Sequence, residues 1–180
     1  MRSFVVSSGR LWKRRGLSIA DSAPVMKFEL LLLGKTKDSY LAEGIAEFTK
    51  RLQHYTKVSV KCVQHKKKSQ WSEEQEKEED GRLLLSHVPA GALKVALDFR
   101  GRQFTSEGLA DLIGQWEQQG VKQVSLLIGG PLGHAPELVA QADLLLSLSQ
   151  MTFTHDMTRL FLLEQLYRAY TIKAGEKYHK

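Results

Sequence analysis

A chain of 180 residues with 42% hydrophobic and 26% charged side chains can bury a full core and is too apolar to read as disordered. Its single cysteine, Cys62, excludes an internal disulfide and every multi-cysteine zinc pattern, and no run approaches the roughly 18 apolar residues of a membrane span. The net charge of +6 invites a nucleic-acid reading, but residues 1–25 hold Arg2, Arg10, Lys13, Arg14 and Arg15 against Asp21 alone, so the remainder carries only +2.

Those first 25 residues are Arg- and Ser-rich, poor in acid and without a sustained period. They read as an upstream extension without a fold role, disordered or absent from the mature protein; an organelle transit peptide is the alternative. "MKFELLLLGK" from Met26 reads like a natural beginning.

"KFELLLLG" (27–34) is a short apolar run ended by glycine, the form of a buried strand. Leu41, Ile45, Phe48, Leu52 and Tyr55 recur at helical spacing and predict an amphipathic helix over 40–56. "VSVKCV" (58–63) is a second strand. The segment 65–82 sets the basic knot "HKKK" (65–68) beside an acidic run, a solvated loop leading into an exposed helix that "LLLSHV" continues and "PAG" breaks. "LKVALDFRG" (93–101) is a third strand. Ser106 is placed to cap a helix over 107–119 with Leu109, Leu112, Ile113 and Trp116 on its apolar face, closed by Gly120.

"KQVSLLIGG" (122–130) is a fourth strand, and "APELVAQA" a short helix with Pro136 near its start. "DLLLSLS" (143–149) is a fifth strand and "QMTFTHD" a loop. A long helix over 156–173 carries Met157, Leu160, Phe161, Leu163 and Leu166. Helices alternating with near-continuous apolar strands predict one α/β domain over 26–180, a mainly parallel sheet covered on both faces.

In such a sheet, ligands bind beyond the carboxyl ends of the strands. Three exits carry chemistry: "LDFRG", "IGGPLGH" and "SLSQMTFTHD". The second is not a dinucleotide fingerprint, because its glycines fall as G-G-x-x-G, Pro131 removes a backbone donor and the next helix is short. It is not a P-loop either, for no Gly-Lys-Ser/Thr follows. That spacing also disposes of a nicotinamide-dependent oxidoreductase. Its glycines still permit close backbone approach, which suits an adenosine or a small polar cofactor; a tight turn without a ligand is the plainer reading of the motif alone. His134 reads as a turn residue.

Several separated motifs then resemble, in order, the RlmH family of SPOUT-class methyltransferases: "MKFELLLLGKTK" (26–37), "LDFRGRQFTSE" (97–107), "VSLLIGGPLGH" (124–134), "LSLSQMTFTHDMTR" (146–159), "LLEQLYRAYTI" (162–172) and "YHK" (178–180). The resemblance implies methyl transfer from S-adenosylmethionine to N3 of a pseudouridine in helix 69 of 23S rRNA. It further implies a cytoplasmic homodimer acting on assembled 70S ribosomes, and a C-terminal trefoil knot that periodicity alone would not suggest. Carried over by motif, Leu97, Gly129 and Gly130 line the cofactor pocket, and Ser149, Gln150, Met151, Thr152, Phe153 and Thr154 close it.

A base is wanted for the acceptor N3–H, and His155 and His179 are the two candidates, though either could instead hydrogen-bond RNA. Arg159, Lys177, Tyr178, His179 and Lys180 are expected near the pocket as RNA contacts, with Lys35, Lys37 and Arg51 on its rim. Glu164 and Arg168, four apart on one helix, read as a structural pair. No metal and no membrane are expected. The family commonly has proline where this chain has Thr154, a residue that can cap the following helix in its place. The competing reading is a non-catalytic RNA- or ribosome-binding protein that keeps the fold.

Overall fold

The computed structural model describes residues 26–64 and 70–179. The N-terminal extension, the "HKKK" knot and Lys180 therefore lie outside the described residues, as does the side chain of His179.

The elements follow the alternation expected of the sequence. Strand β1 (Lys27–Leu33) leads to helix α1 (Ser39–Leu52), β2 (Lys57–Val63), α2 (Glu73–Ser86), β3 (Leu93–Arg102) and α3 (Ser106–Gln118). Then come β4 (Gln123–Ile128), α4 (Pro136–Gln141), β5 (Leu144–Leu146), α5 (His155–Lys173) and a 3₁₀ turn over Lys177–His179. The five strands form one sheet in the order β2-β1-β4-β3-β5, every pair parallel. The α/β class with a covered parallel sheet is therefore present.

Period-two alternation explains how one sheet feeds two cores. Phe28, Leu30 and Leu32 point to the face covered by α1, α3 and α5, where they meet Ile45, Ile113, Leu162 and Leu166. Leu31 points the other way, to Leu84 of α2 and Leu138 of α4. Strand β4 is buried from Val124 to Ile128 because it lies in the middle of the sheet with helices on both sides.

Helix ends depart from expectation in instructive ways. The cap of α3 is Thr105, not Ser106: its side chain accepts from the Gly108 N–H at 3.0 Å, while Ser106 turns its hydroxyl to Gln165. Either hydroxyl can cap; the residue holding extended backbone just before the first turn is the one that does. Helix α1 stops at Leu52, before Tyr55, whose ring stacks on Tyr170 instead of extending the helical face. Helix α2 starts with a reciprocal capping box between Ser72 and Gln75, so the acidic run opens a helix whose first turn favours negative charge.

The strand exits are shorter than predicted. Strand β4 ends at Ile128, which puts Gly129 and Gly130 in the turn. Strand β5 is three residues long, because after Leu146 the chain leaves its ladder and Ser147 N–H bonds the Arg102 carbonyl at 3.0 Å. Leu97 and Arg102 both register on Leu146, so residues 98–101 loop out between them. Gly101 makes that loop possible, since a Cβ there would stand 2.5 Å from the Leu145 carbonyl carbon.

Candidate active site

Strands β4, β3 and β5 are neighbours, so the three exits singled out in the sequence converge on one crevice. A cavity of about 390 Å³ opens there, within the range of small-molecule sites. Leu97–Arg100 wall one side, Gly129–His134 a second, and Ser147–Ser149 with Met151–Phe153 a third. Its apolar lining comes from Leu97, Ile128, Leu132, Leu146 and Leu148, and Gly129, Gly130 and Gly133 leave main chain bare along one wall. An adenine ring with a sugar and a short charged tail fits that chemistry: an apolar slot edged by backbone donors and acceptors.

The third wall is held by its own serines. Ser147 Oγ donates to the Ser149 carbonyl at 3.0 Å, and Ser149 Oγ accepts from the Met151 N–H at 2.9 Å. Phe153 stands edge-on to Phe161 of α5 with 5.0 Å between ring centroids. The loop then enters α5 through Thr154, whose side chain accepts from the Met157 N–H at 3.3 Å. The cap expected of threonine at this position is present. Gln150 does not line the cavity, and Thr154 lines a neighbouring one instead.

His155 opens α5 half-buried between the two cavities and lines both. Burial, with the Arg159 charge acting in the same direction, pushes its imidazole below the ordinary range against the pull of Asp156. The ring is therefore uncharged at neutral pH and able to accept a proton. The second cavity, about 690 Å³, runs from Leu33–Asp38 to Asp156 and Arg159 and carries Lys35 and Lys37.

Arg159 stands elsewhere than expected. Its side chain is 3% exposed, paired with Asp156 at 2.9 Å and donating to Thr36 Oγ1 at 3.0 Å and to the Leu33 carbonyl. It is an interior strut of the β1 exit, its guanidinium engaged by Asp156, Thr36 and Leu33 at the wall of that second cavity. The tail also lies apart from the cavity. Tyr178 packs edge-on to Tyr167 at 4.8 Å, bonds Glu164 at 3.3 Å and sits under the Arg168 guanidinium. Those partners lie nine to thirteen residues beyond His155, roughly 14–20 Å along the helix. Lys177 precedes Tyr178 in the same 3₁₀ turn. Arg51, at the far end of α1 and paired with Glu47, stands over Tyr167 on that same surface and is not on the pocket rim. Glu164 and Arg168 do form the expected pair, at 3.0 Å from Nε.

Asp98, Phe99, Arg100 and His134 were not among the expected pocket residues, whereas Met151 was. Asp98 and Arg100 form a two-pronged pair at the β3 exit, both bonds 2.8 Å long, and the guanidinium holds the Asp98 carboxyl below its usual range. Phe99 and Met151 lie at the mouth, 78% and 74% exposed. His134 is buried and bonds Leu97. The "LDFRG" exit signalled the first of these; nothing local distinguishes His134 from an ordinary turn residue. Among the described residues no three His, Cys, Asp or Glu side chains cluster as metal ligands, and no helix is long and apolar enough to cross a membrane.

Comparison with known proteins gives the family. Residues 26–179 match the family described as "Predicted SPOUT methyltransferase". The chain is 60% identical over 157 residues to the ribosomal RNA large subunit methyltransferase H of Desulfotalea psychrophila, covering 86% of this chain and 100% of that one. It is 44% identical to the protein of the same name from Halothermothrix orenii, again over 86% of this chain and 100% of the relative. A solved structure titled as a probable methylase family protein from Haemophilus influenzae Rd KW20 aligns with 86% of this chain and 70% of its own, at 11% identity and a TM-score of 0.49. The chain belongs to the ribosomal RNA large subunit methyltransferase H family of SPOUT methyltransferases.

Proposed function

We propose that residues 26–180 form a methyltransferase domain that methylates N3 of a pseudouridine in helix 69 of 23S rRNA, using S-adenosylmethionine held in the crevice at the ends of β3, β4 and β5. The carrying observation is the convergence of three separate exits on one cavity with His155 at its edge. The cofactor, when bound, supplies a methyl group already activated on a sulfonium. The protein's work is therefore mainly alignment.

Leu97 and Gly129–Gly130 hold the nucleoside part of the cofactor with main-chain groups, and Ser149 with Met151–Phe153 closes over it. His155 faces the acceptor and takes its N3 proton. Its imidazole, held below the ordinary range by burial, is unprotonated at neutral pH. Lys35 and Lys37, exposed on the loop after β1, meet RNA phosphates beside the pocket.

A homodimer completes this reading. Helix α5 is apolar around much of its circumference: it packs on α1 and α3, and its Phe161 face is left on an open groove of about 300 Å³ with Phe104, Leu109 and Phe153. A second copy seated on that groove also covers Phe99 and Met151. It is the means by which a tail, docked far from its own pocket, reaches a pocket at all. The C-terminal knot fits the close passage of residues 98–101 over Leu145–Leu146. The net charge of the folded part is small, so binding to free RNA is weak and the assembled ribosome, in the cytoplasm, is the substrate.

Calorimetry with adenosylmethionine tests the pocket: binding is expected, and none at millimolar cofactor overturns the reading.

A further inference from the structure

The β3–β4 ladder ends at the pair Ala96 and Leu127. Beyond it the strands part, and the gap between them is the floor of the cofactor cavity. One side chain fills that gap. His134 is 4% exposed, and its Nε2 lies 3.0 Å from the Leu97 carbonyl, an acceptor only, so Nε2 carries the proton and donates. Across the ring lies Gly129: a Cβ built there would stand 3.0 Å from Cε1 and 3.1 Å from Nδ1 of the imidazole. The ring thus occupies the space a side chain at residue 129 would need.

The turn between these residues explains how the ring arrives there. Gly133 N–H bonds the Gly130 carbonyl at 3.0 Å, and Gly133 takes φ 75°, a left-handed value that glycine adopts without strain. The chain folds back on itself and returns His134 to the exit it has just left.

We propose that His134 is a positioning residue for the cofactor pocket: its imidazole, donating to Leu97 and packed on Gly129, sets the spacing of the two strand exits and so the affinity for S-adenosylmethionine. The inference rests on the reading of this cavity as the cofactor site. A main-chain carbonyl at a pocket wall is mobile unless something holds it, and a ligand that must meet it then binds at an entropic cost. His134 removes that cost by continuing the ladder with a side chain where the backbone pairing stops.

Burial, more than the surrounding charges, disfavours the charged form of the ring. Asp98 and Arg100 face it from the β3 exit, and Lys77 of α2 and His155 of α5 line the same cavity. The Asp98 carboxylate is already held by both prongs of Arg100, so it offers His134 little as a counter-ion. Burial pushes the imidazole below its ordinary range, and the pull of Asp98 and of the Leu97 and Leu127 backbone only opposes this.

The test is calorimetric titration of S-adenosylmethionine into the full chain and two variants. His134→Gln keeps an N–H at similar reach and is expected to bind within about threefold of the parent. His134→Phe fills the space without a donor, and its Kd is expected to rise about tenfold, the equivalent of one neutral hydrogen bond. On ribosomes the Phe variant should raise KM for the cofactor and spare kcat. Should that variant not fold, the pH response of the other decides. Parental affinity should weaken as pH falls below about 6.5, and His134→Gln should lose that part of the decline, the His155 contribution being common to both. Parent-like binding by His134→Phe, or identical pH responses in parent and His134→Gln, overturns the proposal. A parent chain that takes up no cofactor overturns the pocket reading and this inference with it; a parent that binds while the variants match it sinks the inference alone.

Discussion

Arg159 donates from Nη2 to the Leu33 carbonyl at 2.7 Å, joining the first turns of α5 to the end of β1 across 126 residues. The same guanidinium meets Thr36 and Asp156, and Asp156 in turn accepts from the Lys37 N–H at 3.0 Å. The loop that presents Lys35 and Lys37 is therefore held in place by a buried strut. Replacing Arg159 with alanine should cost about 3 kcal/mol or more, the usual penalty for breaking a buried pair. Urea unfolding measures it. Unchanged stability with weakened ribosome binding would return Arg159 to the RNA surface.

The cap of α5 gives a milder prediction. Thr154→Ala removes the bond to Met157 N–H and should cost about 1 kcal/mol. Thr154→Pro loses the same bond but fits the backbone, since Thr154 sits at φ −64° and the proline ring favours about −65°. The proline variant should fold with parental cofactor affinity. Thermal unfolding of the pair checks both, and a collapsed proline variant would contradict the geometry of this loop.

Much of the fold was legible because strands covered on both faces must be apolar nearly throughout, as "LLLL" in β1 and "LLI" in β4 are. The three pocket walls were legible because glycines and polar residues cluster where such runs stop. Arg159 misled because an arginine's burial depends on partners at Leu33 and Thr36, far away in sequence. The position of the tail was hidden for a related reason: Tyr178 finds Tyr167 and Glu164 on α5, away from its own chain's pocket. His134 was passed over because its partner Leu97 belongs to a different strand. Long-range packing, absent from any local pattern, accounts for all three.

Two glycines separate a tight crossing from an open helix face. Gly101→Ala puts a Cβ 2.5 Å from the Leu145 backbone, which cannot yield as a flexible side chain would, and should destabilise by about 3 kcal/mol or more. Gly114, inside α3 with nothing within 4 Å of its Cβ position, should gain up to about 1 kcal/mol as alanine. Denaturant midpoints of the two variants should move in opposite directions. Movement in the same direction would mean the 98–101 loop does not press on β5.

Acid should loosen the fold through its buried histidines. His134 and His155 are both held below the ordinary value of 6.5, so the unfolded chain binds more protons than the folded one as pH drops. Their stabilisation is complete above about 6.5 and is lost as pH falls through the lowered folded values. Melting temperatures from pH 7.5 to pH 5 should decline, less steeply in His134→Gln. A flat profile would mean neither ring is held neutral.

The central claim is methyl transfer to helix 69, and one measurement meets it directly. Purified protein is given methyl-labelled S-adenosylmethionine and 70S ribosomes lacking the modification, and the labelled nucleotide is located by mass spectrometry. The account predicts a single methyl on N3 of a pseudouridine in helix 69, strongly reduced in His155→Ala and nearly absent on free 23S rRNA. Label on another nucleotide, or none despite cofactor binding, would contradict it.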